Sequence, residues 1–374
     1  MNECLHINYA RTVLTASAHI ITAIIGSGVL SLAWAIAQLG SVAGPIAMVA
    51  FSVITLYTAF MLADCYRSPD GKRNYSYMDA VRTYLGGMKV KFCGVSQYAT
   101  LVGAGIGYTI TTAMSLEAIA RTNCYHKHGR GAEGCIPSKR SSLLMFGGFG
   151  AVEILLSQIP NFHRLSFLSI VAAIMSFGYS SIGIALSAAK IAGGVDMETC
   201  VTGVPVGANH STRDKMFSTF SALGNIALAF GFSLILIDIQ PVFAFVESWS
   251  RARWGGAKFI TGEHTIRLPF LGKFSISLFR LVWRTAFVVF TTIVAMIFPF
   301  FNAILGLLGS IAFWPLTIYF PVEMYISRAK IPRLSFTWIW LQILSFFCFV
   351  VSVLAAVGSI RDLAKSVMHF KPFA

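Results

Sequence analysis

Charge is what this chain has least of. Only 12% of its residues are Asp, Glu, Lys or Arg, against roughly 25% in soluble domains. So few charges cannot coat a water-soluble globule of 374 residues. Acidic groups are the scarcest, 15 against 29 basic ones, for a net charge of +14. That excess does not indicate nucleic acid. The Lys and Arg residues sit in short segments between apolar blocks, where positive charge sets membrane orientation. None of the seven cysteines form C-x-x-C, which removes the commonest zinc spacing. A nucleophile elbow, a P-loop, HExxH and a dinucleotide fingerprint are all missing. The reading is therefore not an enzyme, with no metal and no organic cofactor. Met1 to Thr15 lacks a signal-peptide pattern, and the apolar block that follows contains His19 and runs past signal-peptide length. It reads as a retained span.

Hydrophobic residues make up 56% of the chain. They come in long blocks rather than amphipathic stripes, which favours a membrane over a soluble core. A helix needs about 20 residues to cross roughly 30 Å of hydrocarbon. Spans are expected at Ser17–Gln38, Ser41–Ala63, Phe92–Leu116, Ser142–Ile159, Leu165–Ala189 and Met216–Ile237. The uncharged run Thr285–Val322 would reach about 57 Å as one helix. Pro299 and Asn302 lie near its middle, so it divides into two. Ser335–Ile360 is the last, and the total is nine. The chain reads as an all-α polytopic membrane protein, one transmembrane domain over residues 1–374.

The larger share of Lys and Arg falls on the cytoplasmic side when the N-terminus is inside, which puts the C-terminus outside. Two features agree. Cys124 and Cys135 share a loop that falls outside, where a disulfide persists. The glycosylation sequon at Asn209 also falls outside. The sequon at Asn74 falls inside and should be silent.

The first span is interrupted by Gly26-Ser27-Gly28. Each glycine weakens a helix by about 1 kcal/mol relative to alanine. Backbone groups freed at membrane depth persist only where they line a cavity or bind something. The alternative is that Gly-Ser-Gly lets helices pack closely. The sixth span carries a similar irregularity from Gly224-Asn225 to Gly231-Phe232-Ser233. Two interrupted helices five spans apart are what a five-plus-five inverted repeat predicts. Intramembrane ionisable groups are costly and often functional. His19 could couple to protons or be a packed neutral imidazole. Glu153 could act in function, snorkel, or form a structural pair. Gly103, Gly105 and Gly107 read as a packing face.

At this point the residues resemble a known family. Leu14 to Ala23 running into Gly26-Ser27-Gly28 looks like the first helix of plant amino acid permeases, of the amino acid/auxin permease family. So do Met61 to Arg67, Gly71 to Tyr75, Ser157 to His163, Phe298 to Gly306, Trp314-Pro315-Leu316, Tyr319 to Met324 and Lys371-Pro372-Phe373. The resemblance covers nearly the whole chain. It implies proton-coupled symport of neutral or acidic amino acids across the plasma membrane, with protons as the coupling ion. It also implies a leucine-transporter-type fold of eleven helices. Here the first five-helix repeat would be residues 17–189, the shortened second repeat 216–322, and an extra C-terminal helix 335–360. By match, Gly26, Ser27 and Gly28 would offer backbone groups to the substrate carboxylate. Asn225, Ala229 and Phe230 would form the facing half of the site, and His19 would serve proton coupling.

The sequence departs from that pattern twice. Ile237-Asp238-Ile239-Gln240 looks like the end of the family's sixth helix, and it runs directly into Pro241 to Glu247, which looks like the end of the eighth. The seventh helix and most of the eighth would be missing, leaving nine instead of eleven. Asn225 stands where the family usually has Asp, and Phe230 and Phe232 where it has tyrosines. A second reading follows: a transport-deficient shortened form or a gene-model product, which could associate with full-length relatives. A third is a receptor that binds amino acids without moving them.

Overall fold

A computed structural model describes residues 27–69, 74, 76–129, 135, 139–158, 166–193, 201–203, 211–231, 263–268, 272–298 and 300–369. The helices are α1 (Ser27–Asp64), α2 (Tyr77–Tyr84), α3 (Gly87–His128), α4 (Lys139–Ser157), α5 (Ser166–Ala192) and α6 (Thr212–Ala229). After a short hairpin, β1 (Glu263–Leu268) and β2 (Gly272–Ser277), come α7 (Leu278–Ile297), α8 (Phe301–Ala312), a π-helical stretch (Phe313–Tyr319), α9 (Phe320–Ala329) and α10 (Phe336–His369). Among the described residues, five stretches are long and apolar enough to cross a membrane: Ser31–Asp64, Gly87–His128, Ile170–Ala192, Phe301–Ala329 and Phe336–Met368. Two shorter apolar helices are Ser141–Ser157 and Leu281–Ile297.

Many large apolar side chains point outward, among them Leu155, Ile184 and Phe346. Water would not tolerate that surface, and lipid tails do. The protein is an α-helical, multi-pass membrane protein.

Each of the nine expected spans has a helix among the described residues. The first two share α1, which Gly40 breaks with φ 90° and ψ 174°. Glycine is required there twice over. The φ lies in the left-handed region, and a side chain would run into the carbonyl of Val201. The uncharged run divides at Phe298–Phe300, between α7 and α8. The all-helical expectation needs one amendment. β1 and β2 pair antiparallel, with Ile266 opposite Phe274, in a stretch outside the expected spans.

The chain separates into two compact units that each take helices from both halves of the sequence. Unit 1 holds residues 1–100, 164–239 and 302–368, and unit 2 holds 101–163, 240–301 and 369–374. In unit 1 one apolar cluster joins Ala35 and Phe51 of α1, Ala222, Ile226 and Ala227 of α6, Phe313, and Leu341 of α10. A second joins Leu62, Cys65, Tyr77, Ala80, Val81, Cys93, Leu316 and Phe320.

The second cluster depends on α2. Its cap Ser76 accepts a hydrogen bond from the Asp79 amide at 3.1 Å, and its face Tyr77, Ala80 and Val81 is buried. The π-helical stretch explains what Tyr77 does. The Phe320 amide donates five residues back, to Pro315. The next residue, Pro321, has no N–H, so the Leu316 carbonyl lacks the matching helical donor. The Tyr77 hydroxyl donates to it at 2.6 Å, fully buried. Burial holds this phenol well above its ordinary ionisation range, with the neighbouring Cys93 and Cys65 adding to the effect. It therefore stays a donor.

Candidate functional site

The two helices singled out for their irregularities belong to one packed contact. Leu32, Trp34 and Ala35 of α1 lie in the same apolar cluster as Ala222, Ile226, Ala227 and Phe230. Helix α6 stops at Ala229, well before the expected end at Ile237. Phe230 has φ −96° and ψ 4°, which is not helical. Its amide still reaches Ile226, at 3.2 Å, and that of Gly231 turns back to Leu228 at 3.0 Å. The sixth helix thus ends inside the stretch Gly224 to Ser233 where the sequence pattern is weakest.

At the other half, Ser27 and Gly28 are helical and are the first two residues of α1 as described. Gly26, His19 and Asn209 lie outside the described residues, as does the junction around Ile237 to Glu247.

Asn225 is completely buried. Its side-chain Nδ2 donates to the carbonyl of Ser221 at 3.0 Å and to that of Asn302, at the start of α8, at 3.1 Å. Its Oδ1 is buried with no hydrogen-bond partner among the described residues. Ala229 is buried and Phe230 is half-buried against the cluster. The environment of Asn225 is a seam of small residues. A Cβ on Gly224 would fall on the Gly306 carbonyl, and one on Gly309 would fall on the Gly224 carbonyl. Gly358 of α10 lies as close to the backbone of Phe217 and Ser221, and Ser359 Oγ donates to Ser221 Oγ at 3.4 Å. Close backbone approach through small residues is how membrane helices associate without a hydrophobic driving force. Sequence reasoning missed this seam. The signal for it was Gly306 and Gly309 spaced three apart, but their partner, Gly224, lies far earlier in the chain.

Unit 1 also holds a cavity of about 290 Å³, walled by Phe92 and Ser96 of α3, Ser310, Trp314, and Phe349 and Ser352 of α10. Its lining is almost wholly apolar. The Ser352 hydroxyl is buried there without a partner among the described residues. In the same unit, Lys89 Nζ meets Glu323 Oε2 at 2.8 Å, and Gln342 donates to Glu323 Oε1 at 3.1 Å.

The remaining sites predicted from the sequence are simpler. Cys124, in the last turn of α3, is disulfide-bonded to Cys135, with Cα atoms 5.5 Å apart. Asn74, the sequon read as silent, is 6% exposed. Its Nδ2 donates to the Cys65 carbonyl at 3.0 Å, and its Oδ1 accepts from Thr83 at 3.1 Å. A folded chain has no room for a glycan there. Among the described residues Gly103 and Gly107 are buried within α3, and Gly105 leaves ordinary contact room beside Thr291.

Comparison with known proteins bears on this geometry. The family profile described as transmembrane amino acid transporter protein matches residues 10–241 and 235–364. Its two stretches overlap at 235–241. Amino acid permease 6 of Arabidopsis thaliana is 48% identical over 447 aligned positions, covering 97% of this chain and 92% of the relative. Amino acid permease 1 of the same plant is 46% identical over 445 positions, covering 97% and 91%. Lysine histidine transporter-like 1, also from Arabidopsis thaliana, is 24% identical, covering 92% and 86%. The first two alignments are longer than this chain's 374 residues, so each relative carries a segment that the chain does not. No solved structure matches the chain.

Proposed function

Because the chain belongs to the family of transmembrane amino acid transporter proteins, we propose that it moves amino acids across a membrane. The observation that carries this reading is the pairing of α1 with an α6 that stops at Ala229, part-way through an apolar run. A helix ended at membrane depth leaves main-chain carbonyls without helical partners. In a protein such groups are kept where they meet a ligand or a cavity.

In the finer reading, transport is symport with protons, and the cargo is a neutral or acidic amino acid. Gly26, Ser27 and Gly28 offer backbone N–H groups to its carboxylate. Asn225, Ala229 and Phe230 form the opposing wall. The unpartnered Oδ1 of Asn225 is an acceptor for the cargo's ammonium group. His19 serves proton coupling. The chain lies in the plasma membrane with its N-terminus in the cytoplasm and its C-terminus outside.

The test is uptake of labelled amino acids in a host that lacks its own carriers, with current recorded as the outside is acidified. Uptake with inward current supports the reading. Correct surface expression with neither uptake nor current overturns it.

A second reading rests on the overlap at 235–241 and on alignments longer than the chain. Here the missing segment corresponds to two helices, and the chain is a transport-deficient form that associates with full-length relatives. Reinserting the relative's segment then restores uptake, whereas the chain as it stands shows none. Equal uptake by both overturns this reading.

A further inference from the structure

Within unit 2, helix α4 carries three small or polar residues on one face, at Gly150, Glu153 and Ser157, while Val152, Leu155 and Leu156 on its other side are exposed apolar groups. The spacing of three and then four residues keeps that face on one side of the helix. Each member meets a different group. A side chain at Gly150 would press on Thr292 of α7, its nearest atom Oγ1 at 2.8 Å. Glu153 Oε2 accepts from Thr109 Oγ1 of α3 at 3.2 Å, and that hydroxyl also reaches the Gly105 carbonyl at 3.0 Å. The Ser157 carbonyl accepts from Arg284 Nη1 of α7 at 2.6 Å. These pairs run in opposite directions along the two chains, so α4 and α7 are antiparallel, and Glu153 stands between the levels of Arg284 and Thr292.

That leaves a carboxyl group about four residues, roughly 6 Å, inside the end of α4. Its hydrogen-bond partner among the described residues is the Thr109 hydroxyl. Among the described residues no Lys, Arg or His stands within ion-pairing distance of it. The neighbouring cation, Arg284, is directed at the end of α4, where a guanidinium satisfies an open helix carbonyl. From Phe92 to Leu116 of α3, from Ser141 to Ser157 of α4 and from Thr285 to Ile297 of α7, Glu153 is the one Asp, Glu, Lys, Arg or His. The tyrosines and cysteines in those stretches are Cys93, Tyr98 and Tyr108 of α3. One turn from Glu153 the Thr292 hydroxyl is itself buried, 7% exposed, with no hydrogen-bond partner among the described residues. An unpaired carboxylate among lipid-facing helices is costly, and the neutral acid is the form these surroundings accept most readily.

We propose that Glu153, held by Thr109 at the meeting of α3, α4 and α7, is an intramembrane proton-binding site. The carboxylate takes a proton from the adjoining water and becomes the acid, with no other bond made or broken. The inference rests on the membrane class and the local geometry, not on transport, so an inactive carrier would still bind the proton. For a proton-coupled carrier it is a second seat for the proton, in unit 2 rather than in unit 1.

The probe is dicyclohexylcarbodiimide, an apolar reagent that adds covalently to protonated carboxyl groups in apolar surroundings. The purified full chain in lipid nanodiscs is labelled between pH 5 and pH 9, and the adduct is mapped by peptide mass spectrometry. The expected result is an adduct at Glu153. Its rate climbs about tenfold for each unit of falling pH while the carboxylate predominates, and levels off once the acid does. E153Q, close in shape and still able to accept from Thr109, folds and loses that adduct. T109V keeps the carboxyl and moves the midpoint of the profile. Three results would overturn the proposal: no adduct at Glu153 in folded protein, a rate that does not change with pH, or ready labelling by a water-soluble carbodiimide with glycine ester. An unmoved midpoint in T109V overturns the part assigned to Thr109.

Discussion

Replacing Gly224 with alanine should destabilise the protein, although the same change at Gly105 or Gly147 should not. Alanine is favoured over glycine within a helix by about 1 kcal/mol, so the local effect of G224A is stabilising. Against it stands the Gly306 backbone. A Cβ on Gly224 would fall on that carbonyl oxygen and lie 3.0 Å from its carbon and 3.1 Å from its Cα. Backbone cannot rotate away as a side chain can, so α6 and α8 must separate. Overpacking of this kind costs about 1–3 kcal/mol. Separation also stretches the bond from Asn225 Nδ2 to the Asn302 carbonyl, now 3.1 Å, and such a bond contributes about 1 kcal/mol. The net loss is therefore about 1–3 kcal/mol. At Gly105 the nearest atom to an added Cβ is Thr291 Cγ2 at 3.7 Å, an ordinary contact, and at Gly147 nothing lies within 4 Å. G105A and G147A should be neutral or slightly stabilising. Thermal unfolding of the three variants in one detergent, read as the monodisperse fraction left after heating, gives the order. G224A surviving as well as G105A would refute the close backbone approach on which the seam depends.

Two further outcomes test other parts of the fold. Y77F removes the hydroxyl that donates to the Leu316 carbonyl past Pro321, so a buried acceptor is stranded at a cost of about 1–3 kcal/mol; an unchanged melting profile would count against that bond. Glycosidase treatment of protein from a eukaryotic host should remove nothing from Asn74, whose amide is buried and engaged at both ends, whereas sugar found there rather than at Asn209 would reverse the proposed orientation.

Much of the helix layout was legible because hydrocarbon thickness imposes a length. The break between the first two spans was read at the Leu39-Gly40-Ser41 boundary, and Gly40 is where α1 leaves helical geometry. Pro299 and Asn302 divided the long uncharged run for an equally local reason, and the described helices separate there. What was missed depends on partners far away in sequence or on segments too polar to resemble spans. Helix α3 runs to 42 residues because its polar end, Arg121 to His128, continues as helix, and an apolar window cannot see that. Helix α2 is short and amphipathic, and only its Ser76 cap and Asp79 announced it. The π-helical stretch needed Pro315, Pro321 and a tyrosine some 240 positions away to make sense. The candidate site was legible as two weak places in helices. That Asn225 serves a helix seam with one side of its amide could not be read from the chain alone, because its second partner, the Asn302 carbonyl, is supplied by tertiary packing.

At Asn225 one substitution shows which side of the amide a ligand could meet. The nitrogen of its amide is committed to two backbone carbonyls, at 3.0 and 3.1 Å, while the oxygen has no partner among the described residues. An aspartate, the residue the family resemblance leads one to expect here, would set a carboxylate oxygen against both carbonyls. Three acceptors and no donor cost at least the unsatisfied-group penalty of about 1–3 kcal/mol. The protonated acid can donate to one of the two and recovers part of it. N225D should therefore be less stable than the parent at pH 8 and closer to it at pH 5. N225S and N225A lose the two bonds without adding charge, so their deficits should not ease as the pH falls. N225D with parental stability at pH 8 would mean that the seam opens readily, and that the amide is free to turn toward a ligand. The predicted pH-dependent deficit would instead mean that a ligand reaches this residue through Oδ1 alone. A carrier built on this chain would then grip its cargo's ammonium by an amide oxygen that cannot also hold the coupling proton.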